Sequence, residues 1–86
     1  MSTHSEHTTS SAGSAFKKLL ELMAALRSPV GCAWDREQTL KSLRPFLIEE
    51  TYEVIDAIDR NDLTSLRNEL GDFLLEAVFV AQICSE

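Results

Sequence analysis

Nine acidic residues lie between positions 49 and 76, where only two arginines oppose them. Two pairs among them, Glu50 with Glu53 and Glu69 with Asp72, have i,i+3 spacing, so each pair projects from one side of a helix. A run of acids on a helix is usually a solvated face, and that interpretation stays open. The full set is Glu49, Glu50, Glu53, Asp56, Asp59, Asp62, Glu69, Asp72 and Glu76.

The two acidic pairs are symmetric about Asn61. Glu50 and Asp72 each lie eleven residues from it, and Glu53 and Glu69 each lie eight. In an antiparallel helical hairpin that turns at Asn61, the two pairs face each other. Two like charges 4 Å apart repel by about 1 kcal/mol in water and about 4 kcal/mol at an effective dielectric of 20. Shared protons could relieve this repulsion, but a divalent cation is the simpler solution.

The donor types narrow the choice of cation. Ligand sets made only of carboxylate oxygens favour Mg²⁺, Mn²⁺ or Ca²⁺. The calcium loop of alternating acids around a glycine is missing, and no histidine follows either pair at the spacing of a di-iron bundle. Mg²⁺ therefore fits best, with Mn²⁺ as a substitute, and Mg²⁺ commonly serves phosphate substrates.

Three helices are needed to position these groups. Apolar spacing predicts the first over residues 15–27, and a break follows at residues 28–31. Pro45 suits the first turn of a second helix that runs to about Asp59. Asp62 can cap a third helix from Leu63 to about Cys84. There is no alternating strand pattern, so we expect an all-α fold: an antiparallel hairpin plus an N-terminal helix.

The third predicted helix is apolar on two sides. One face carries Leu66, Leu70 and Phe73, and a second strip carries Phe79 and Ile83. A helix that is apolar on two sides is usually packed against other segments on both sides. Residues 15–86 alone are too few to pack against both sides of this helix. We therefore predict a homodimer, or a dimer of dimers, that completes a four-helix-bundle-like assembly.

Composition limits the remaining possibilities. The chain has 86 residues and a formal charge of −6, so it has no surplus of basic residues with which to bind nucleic acid. No apolar run is long enough to cross a bilayer, and residues 1–14, with eight Ser or Thr, lack the features of a signal peptide. We interpret residues 1–14 as a disordered tail before a helical domain at 15–86, and we expect a cytoplasmic protein with no membrane partner.

Two segments of the chain resemble a known family. The acids in Glu49–Glu53 and Glu69–Asp72 resemble the EExxE…ExxD signature of the MazG-type nucleoside triphosphate pyrophosphohydrolases. The segment Gly31–Thr39 is similar to that family's G-C-P-W-D-x-x-Q-T loop, with Ala33 in place of proline. The similarity runs from about Leu19 to Glu86.

The resemblance implies an α-helical, dimer-based enzyme that uses Mg²⁺ to split nucleoside triphosphates into monophosphate and pyrophosphate. Carried over by position, the metal ligands fall on Glu50, Glu53, Glu69 and Asp72. Glu49 or Glu53 would take the proton from the attacking water.

The resemblance also suggests groups that would bind substrate. Trp34 could stack on a base, and Lys41 and Arg44 could contact phosphates. Family members continue into a further helix with basic residues, whereas this sequence stops at Glu86, so a C-terminal truncation is expected. The alternative function is therefore a truncated, non-catalytic helical module that binds metal or pairs with another chain. The preferred nucleotide is not encoded in any motif.

Overall fold

The computed structural model describes the backbone of residues 2–86 and the side chains of residues 11–86. It contains four helices, α1 (Ser2–Leu26), α2 (Ala33–Glu37), α3 (Leu40–Asp59) and α4 (Leu63–Ser85), and the described residues form no strand. The predicted all-α fold is confirmed. The chain divides into two compact units, Met1–Arg36 and Glu37–Glu86, which are taken separately below.

The first unit ends α1 one residue earlier than predicted and turns tightly into α2. Gly31 is required in this turn, because a Cβ there would collide with the carbonyl oxygens of Ala25 and Leu26. The Arg27 guanidinium closes the turn by donating to the carbonyl of Asp35 at 2.7 Å. The prediction that this helix starts at residue 15 is wrong, because α1 begins at Ser2. The predicted disorder of residues 1–14 stays a prediction, and the side chains of residues 1–10 lie outside the described part.

The second unit opens with a reciprocal cap at the start of α3. The Thr39 backbone N–H donates to Ser42 Oγ at 2.9 Å, and the Ser42 N–H donates to Thr39 Oγ1 at 3.1 Å. The prediction that this helix starts at Pro45 is wrong, because the cap begins the helix at Leu40. Pro45 lies inside the helix, where it leaves the carbonyl of Lys41 without its helical donor.

The turn between α3 and α4 lies where the sequence predicts it. Asn61 adopts a left-handed conformation with φ of 53°, which asparagine tolerates better than most residues. Asp62 caps α4 by accepting from the Ser65 N–H at 3.0 Å and from the Ser65 hydroxyl at 2.8 Å. Arg60 bridges Asp56 at 2.9 Å and Asp62 at 3.1 Å. These contacts fix the reversal of the chain.

The helices α3 and α4 pack against each other as a hairpin. Leu43 and Phe79, each eighteen residues from Asn61, are buried, as are Ala57 and Val78. The rest of the apolar surface of the hairpin is largely exposed. The predicted dimer would bury this surface, and the dimer itself stays a prediction. The exposed large apolar residues of α3 and α4 are Leu40, Phe46, Ile48, Tyr52, Ile55, Ile58, Leu63, Leu70, Phe73, Leu74 and Leu75. None of the described helices is long and apolar enough to cross a membrane.

Candidate metal centre

Three carboxylates from the two helices of the hairpin come together. Glu50 projects from α3, and Glu69 and Asp72 project from α4. One oxygen from each lies within 4.8 Å of the others. All three are among the four ligands predicted from the sequence, and the hairpin has brought them into one cluster.

Burial leaves part of this cluster without hydrogen-bond donors. Glu50 Oε1 and Glu69 Oε2 are inaccessible to solvent and have no hydrogen-bond partner, and the same holds for Glu76 Oε2. A buried polar atom without a partner loses its hydration and gains nothing in return. A proton shared between carboxyl groups or a bound cation would satisfy these oxygens.

The local electrostatics favour the same two solutions. Burial raises the pKa of the Glu50 carboxyl, and the charges of Glu53, Asp72 and Glu76 raise it further. The pKa of Glu69 is raised chiefly by its hydrogen bond with Glu50, because two carboxyl groups can pair in this way only around a proton. The Glu50 and Glu69 carboxyl groups therefore hold a proton more readily than isolated glutamates do.

Glu53 and Glu49 lie at the margin of the cluster. Glu53 is exposed, and its pKa is raised first by a hydrogen bond with Glu69 and then by the charge of Glu69. Glu53 is therefore a neighbour of Glu69, but its oxygens are not in the group of three. Glu49 is exposed one turn earlier on α3. The ligand role of Glu53 and the proton-accepting roles of both residues stay predictions.

A recess of about 500 Å³ opens beside the cluster. Glu69 belongs to both the cluster and the recess, and Arg60 lines the recess next to the turn. Sequence reasoning missed Tyr52 and Arg60, although Arg60 follows Glu53 by seven residues and so shares its face of the helix. The lining residues are Glu49, Tyr52, Glu53, Asp56, Arg60 and Glu69.

The three predicted substrate-binding residues do not line this recess. Lys41 and Arg44 are exposed on α3, nine and six residues before Glu50. Trp34 lies on α2 in the first unit and is 51% exposed. Their contacts with substrate stay predictions.

Glu76 is the other residue that sequence reasoning left without a role. It follows Asp72 by four residues and Glu69 by seven, so it shares their face of α4. From that spacing, the sequence could have predicted that Glu76 lies on the same side of α4 as the two ligand candidates. Its half-burial and its unpartnered oxygen could not be read from the sequence.

Comparison with known proteins agrees with this geometry. Residues 38–86, more than half of the chain, match the family model of the MazG nucleotide pyrophosphohydrolase domain. The chain belongs to the MazG family. The matched range includes every residue of the carboxylate cluster and of the recess, so the site lies within the part that defines membership in MazG.

Named relatives of this MazG chain include two pyrophosphohydrolases. The nucleoside triphosphate pyrophosphohydrolase/pyrophosphatase MazG of Thermotoga maritima is 55% identical over 75 residues, which is 87% of this chain and 29% of that protein. The nucleoside triphosphate pyrophosphohydrolase of Escherichia coli K12 is 53% identical over 70 residues, 80% of this chain and 27% of that protein. The uncharacterised protein YabN of Bacillus subtilis is 44% identical over 68 residues, 79% of this chain and 14% of its own length. The chain thus spans less than a third of each of these relatives.

Proposed function

We propose that this MazG chain hydrolyses nucleoside triphosphates to monophosphate and pyrophosphate, with Mg²⁺ or Mn²⁺ held by Glu50, Glu53, Glu69 and Asp72. The observation that carries the proposal is the cluster itself, in which three carboxylate oxygens from two helices lie within 4.8 Å of one another. The reaction is inferred from family membership and from the names of the two pyrophosphohydrolase relatives.

The donor set fits a hard divalent cation. Every candidate ligand is a carboxylate oxygen, the donor type that Mg²⁺ and Mn²⁺ prefer. Glu50 Oε1 and Glu69 Oε2, buried and unpartnered, are the atoms that a cation would satisfy. A bound divalent cation would neutralise charge on the triphosphate and help to orient it.

In this proposal, Glu49 or Glu53 accepts the proton from the attacking water. Glu49 and Glu53 both line the recess, where a triphosphate would meet the cluster. Either carboxylate could act as the general base of this step. Trp34 would stack on the base of the nucleotide, and Lys41 and Arg44 would contact its phosphates.

The same proposal includes a homodimer or a dimer of dimers in the cytoplasm. Its support is the exposed apolar surface of the hairpin, where Ile48 is 58% exposed and Tyr52 is 68% exposed. A second copy of the chain would cover that surface. The apolar area that a domain of this size buries on its own is small, so the additional burial would stabilise it.

The decisive experiment measures pyrophosphate release from a panel of nucleoside triphosphates, with and without Mg²⁺. We expect Mg²⁺-dependent release that Glu53→Gln or Asp72→Asn greatly reduces, and that the exposed control Asp59→Asn retains. Full Mg²⁺-dependent activity in Glu53→Gln or Asp72→Asn would contradict the site. Mg²⁺ binding without release from any nucleotide would favour the non-catalytic module instead.

A further inference from the structure

Glu76 is a part-buried acid to which the proposed reaction gives no role. It lies one helical turn after Asp72 on α4, at the edge of the carboxylate cluster. Its Oε2 atom is closed off from solvent and has no hydrogen-bond partner. A residue in this environment would ordinarily be apolar, because an unpartnered buried carboxylate destabilises the fold.

The charges around Glu76 have the same sign as its own. The charge of Asp72 acts on Glu76, and the charge of Glu76 acts in turn on Glu50. Glu76 therefore interacts electrostatically with two of the three residues whose oxygens form the cluster. No ion pair of the described residues joins it to a lysine or arginine. A proton or a bound cation would therefore stabilise this carboxyl group.

Position argues against direct ligation by Glu76. Its oxygens are outside the group of three that lie within 4.8 Å of one another, and, unlike Glu53, Glu76 does not line the recess beside that group. Mg²⁺ and Mn²⁺ in such sites commonly retain several water molecules. Carboxylates just beyond the ligands usually hold those water molecules in place, and their loss weakens metal affinity.

We propose that Glu76 is a positioning residue of the cation site, whose carboxylate accepts hydrogen bonds from the hydration shell of the ion held by Glu50, Glu53, Glu69 and Asp72. This inference rests on the proposed function for the existence of the ion. It adds Glu76 to the four carboxylates of the proposed ligand set, and it explains why a charged residue occupies a half-buried position.

The test is Mn²⁺ binding to the full chain, followed by the electron paramagnetic resonance signal of free Mn²⁺. The variant Glu76→Gln keeps the shape of the side chain and removes its charge. We expect its Mn²⁺ dissociation constant to rise by about 10- to 100-fold. We also expect its melting temperature without metal to equal or exceed that of the parent chain, because a buried like charge is gone. A purely structural role predicts the opposite pattern: a lower melting temperature and unchanged Mn²⁺ affinity.

Two further variants complete the design. Asp59→Asn removes an exposed charge nine residues along α3 from Glu50, about 13 Å away. This separation exceeds the Debye length of about 8 Å at physiological salt, so Mn²⁺ affinity should be nearly unchanged. Glu76→Asp restores the charge on a shorter side chain and should bind Mn²⁺ more tightly than Glu76→Gln.

The outcomes separate this inference from the function on which it rests. If the parent chain binds Mn²⁺ and Glu76→Gln binds it equally well, the role of Glu76 is wrong while the cation site stands. If Asp59→Asn loses as much affinity as Glu76→Gln, the effect is general electrostatics and the role of Glu76 is again wrong. If the parent chain does not bind Mn²⁺, both the inference and the proposed function fail.

Discussion

Glu50 and Asp72 lie equally far from Asn61 along the chain, and an oxygen of one lies within 4.8 Å of an oxygen of the other. The turn at residues 60–62 makes this meeting possible, because it returns α4 along α3 in register. The contact brings two acids together although ionised carboxylates repel each other. The fold accepts this repulsion midway along the hairpin, where a shared proton or a bound cation would offset it.

Divalent cations should stabilise the chain through this cluster. At a Mg²⁺ concentration about 100 times the dissociation constant, binding to the folded state adds about 2.7 kcal/mol to the free energy of unfolding. For a domain of this size, that corresponds to a rise in melting temperature of about 10–20 °C. Calorimetry with Mg²⁺ and then with excess chelator measures the rise and its reversal.

The variant Asp72→Asn identifies where that cation binds. Loss of one ligand should remove most of the Mg²⁺-induced rise in melting temperature, whereas Asp59→Asn, at the far end of α3, should keep it. An equal rise in Asp72→Asn and the parent chain would place the stabilising cation elsewhere.

The metal-free chain should become more stable as the pH falls from 7.5 to 5. Raised pKa values at Glu50, Glu53, Glu69 and Glu76 mean that the folded state binds more protons than the unfolded state above the ordinary glutamate value of about 4.3. Stability from these groups is therefore present at low pH and is lost as the pH rises through their raised values. Melting temperatures in chelator across this range measure the slope.

A matched variant assigns that slope to the cluster. Glu69→Gln removes the carboxyl that pairs with both Glu50 and Glu53, so the rise in melting temperature between pH 7.5 and 5 should become shallower. The lowered pKa of Asp62, caused chiefly by the Ser65 N–H, has the opposite sign. The effect of Asp62 on stability changes with pH only below about pH 4, which is outside the measured range. An unchanged slope in Glu69→Gln would show that the pH dependence arises elsewhere.

The cap at Asp62 should contribute measurably to the hairpin. Replacement by alanine removes the acceptor for the Ser65 N–H and should lower the free energy of unfolding by about 1 kcal/mol. Asp62→Asn should retain most of that stability, because asparagine caps helices about as well as aspartate does. Chemical denaturation of the two variants provides the comparison, and equal losses would mean that charge rather than capping matters at this position.

Self-association should depend on the apolar groove on α3. Ile48 and Ile55 line this groove and are 58% and 45% exposed, in a patch with Leu47 and Tyr52. Ile55→Glu should raise the dissociation constant of a homodimer by at least about tenfold, since a charge would lose its hydration in the interface. Sedimentation equilibrium measures the change. Val30→Glu, at a loop position that is 94% exposed, is the control and should leave association unchanged.

The sequence was enough to predict the hairpin and the meeting of its acids. The cap at Asp62 and the tolerance of Asn61 for a turn are local properties, and a short connection between two helices leaves little choice but antiparallel packing. Symmetry about Asn61 then follows from position alone. For this reason the sequence alone predicts that Glu50, Glu69 and Asp72 form a cluster.

Other features depended on information that the sequence does not display. Pro45 resembles a helix start, but the reciprocal cap of Thr39 and Ser42 starts α3 earlier and the helix accommodates the proline. The importance of Glu76 depends on how deeply one side chain is buried, which helical periodicity cannot give. The placement of Trp34 relative to the cluster, and the cover for the apolar faces, depend on contacts beyond a single hairpin.

The position of a bound paramagnetic ion tests most directly whether a cation binds between α3 and α4. Substoichiometric Mn²⁺, added to isotopically labelled chain, broadens the amide signals of the residues nearest to it. We expect the amides of Glu50, Glu53, Glu69 and Asp72 to lose intensity first, while that of Ser85, thirteen residues beyond Asp72 at the end of α4, retains it longest among the hairpin residues. Loss centred on the acids of the turn, or spread evenly along both helices, would contradict a cation site between α3 and α4.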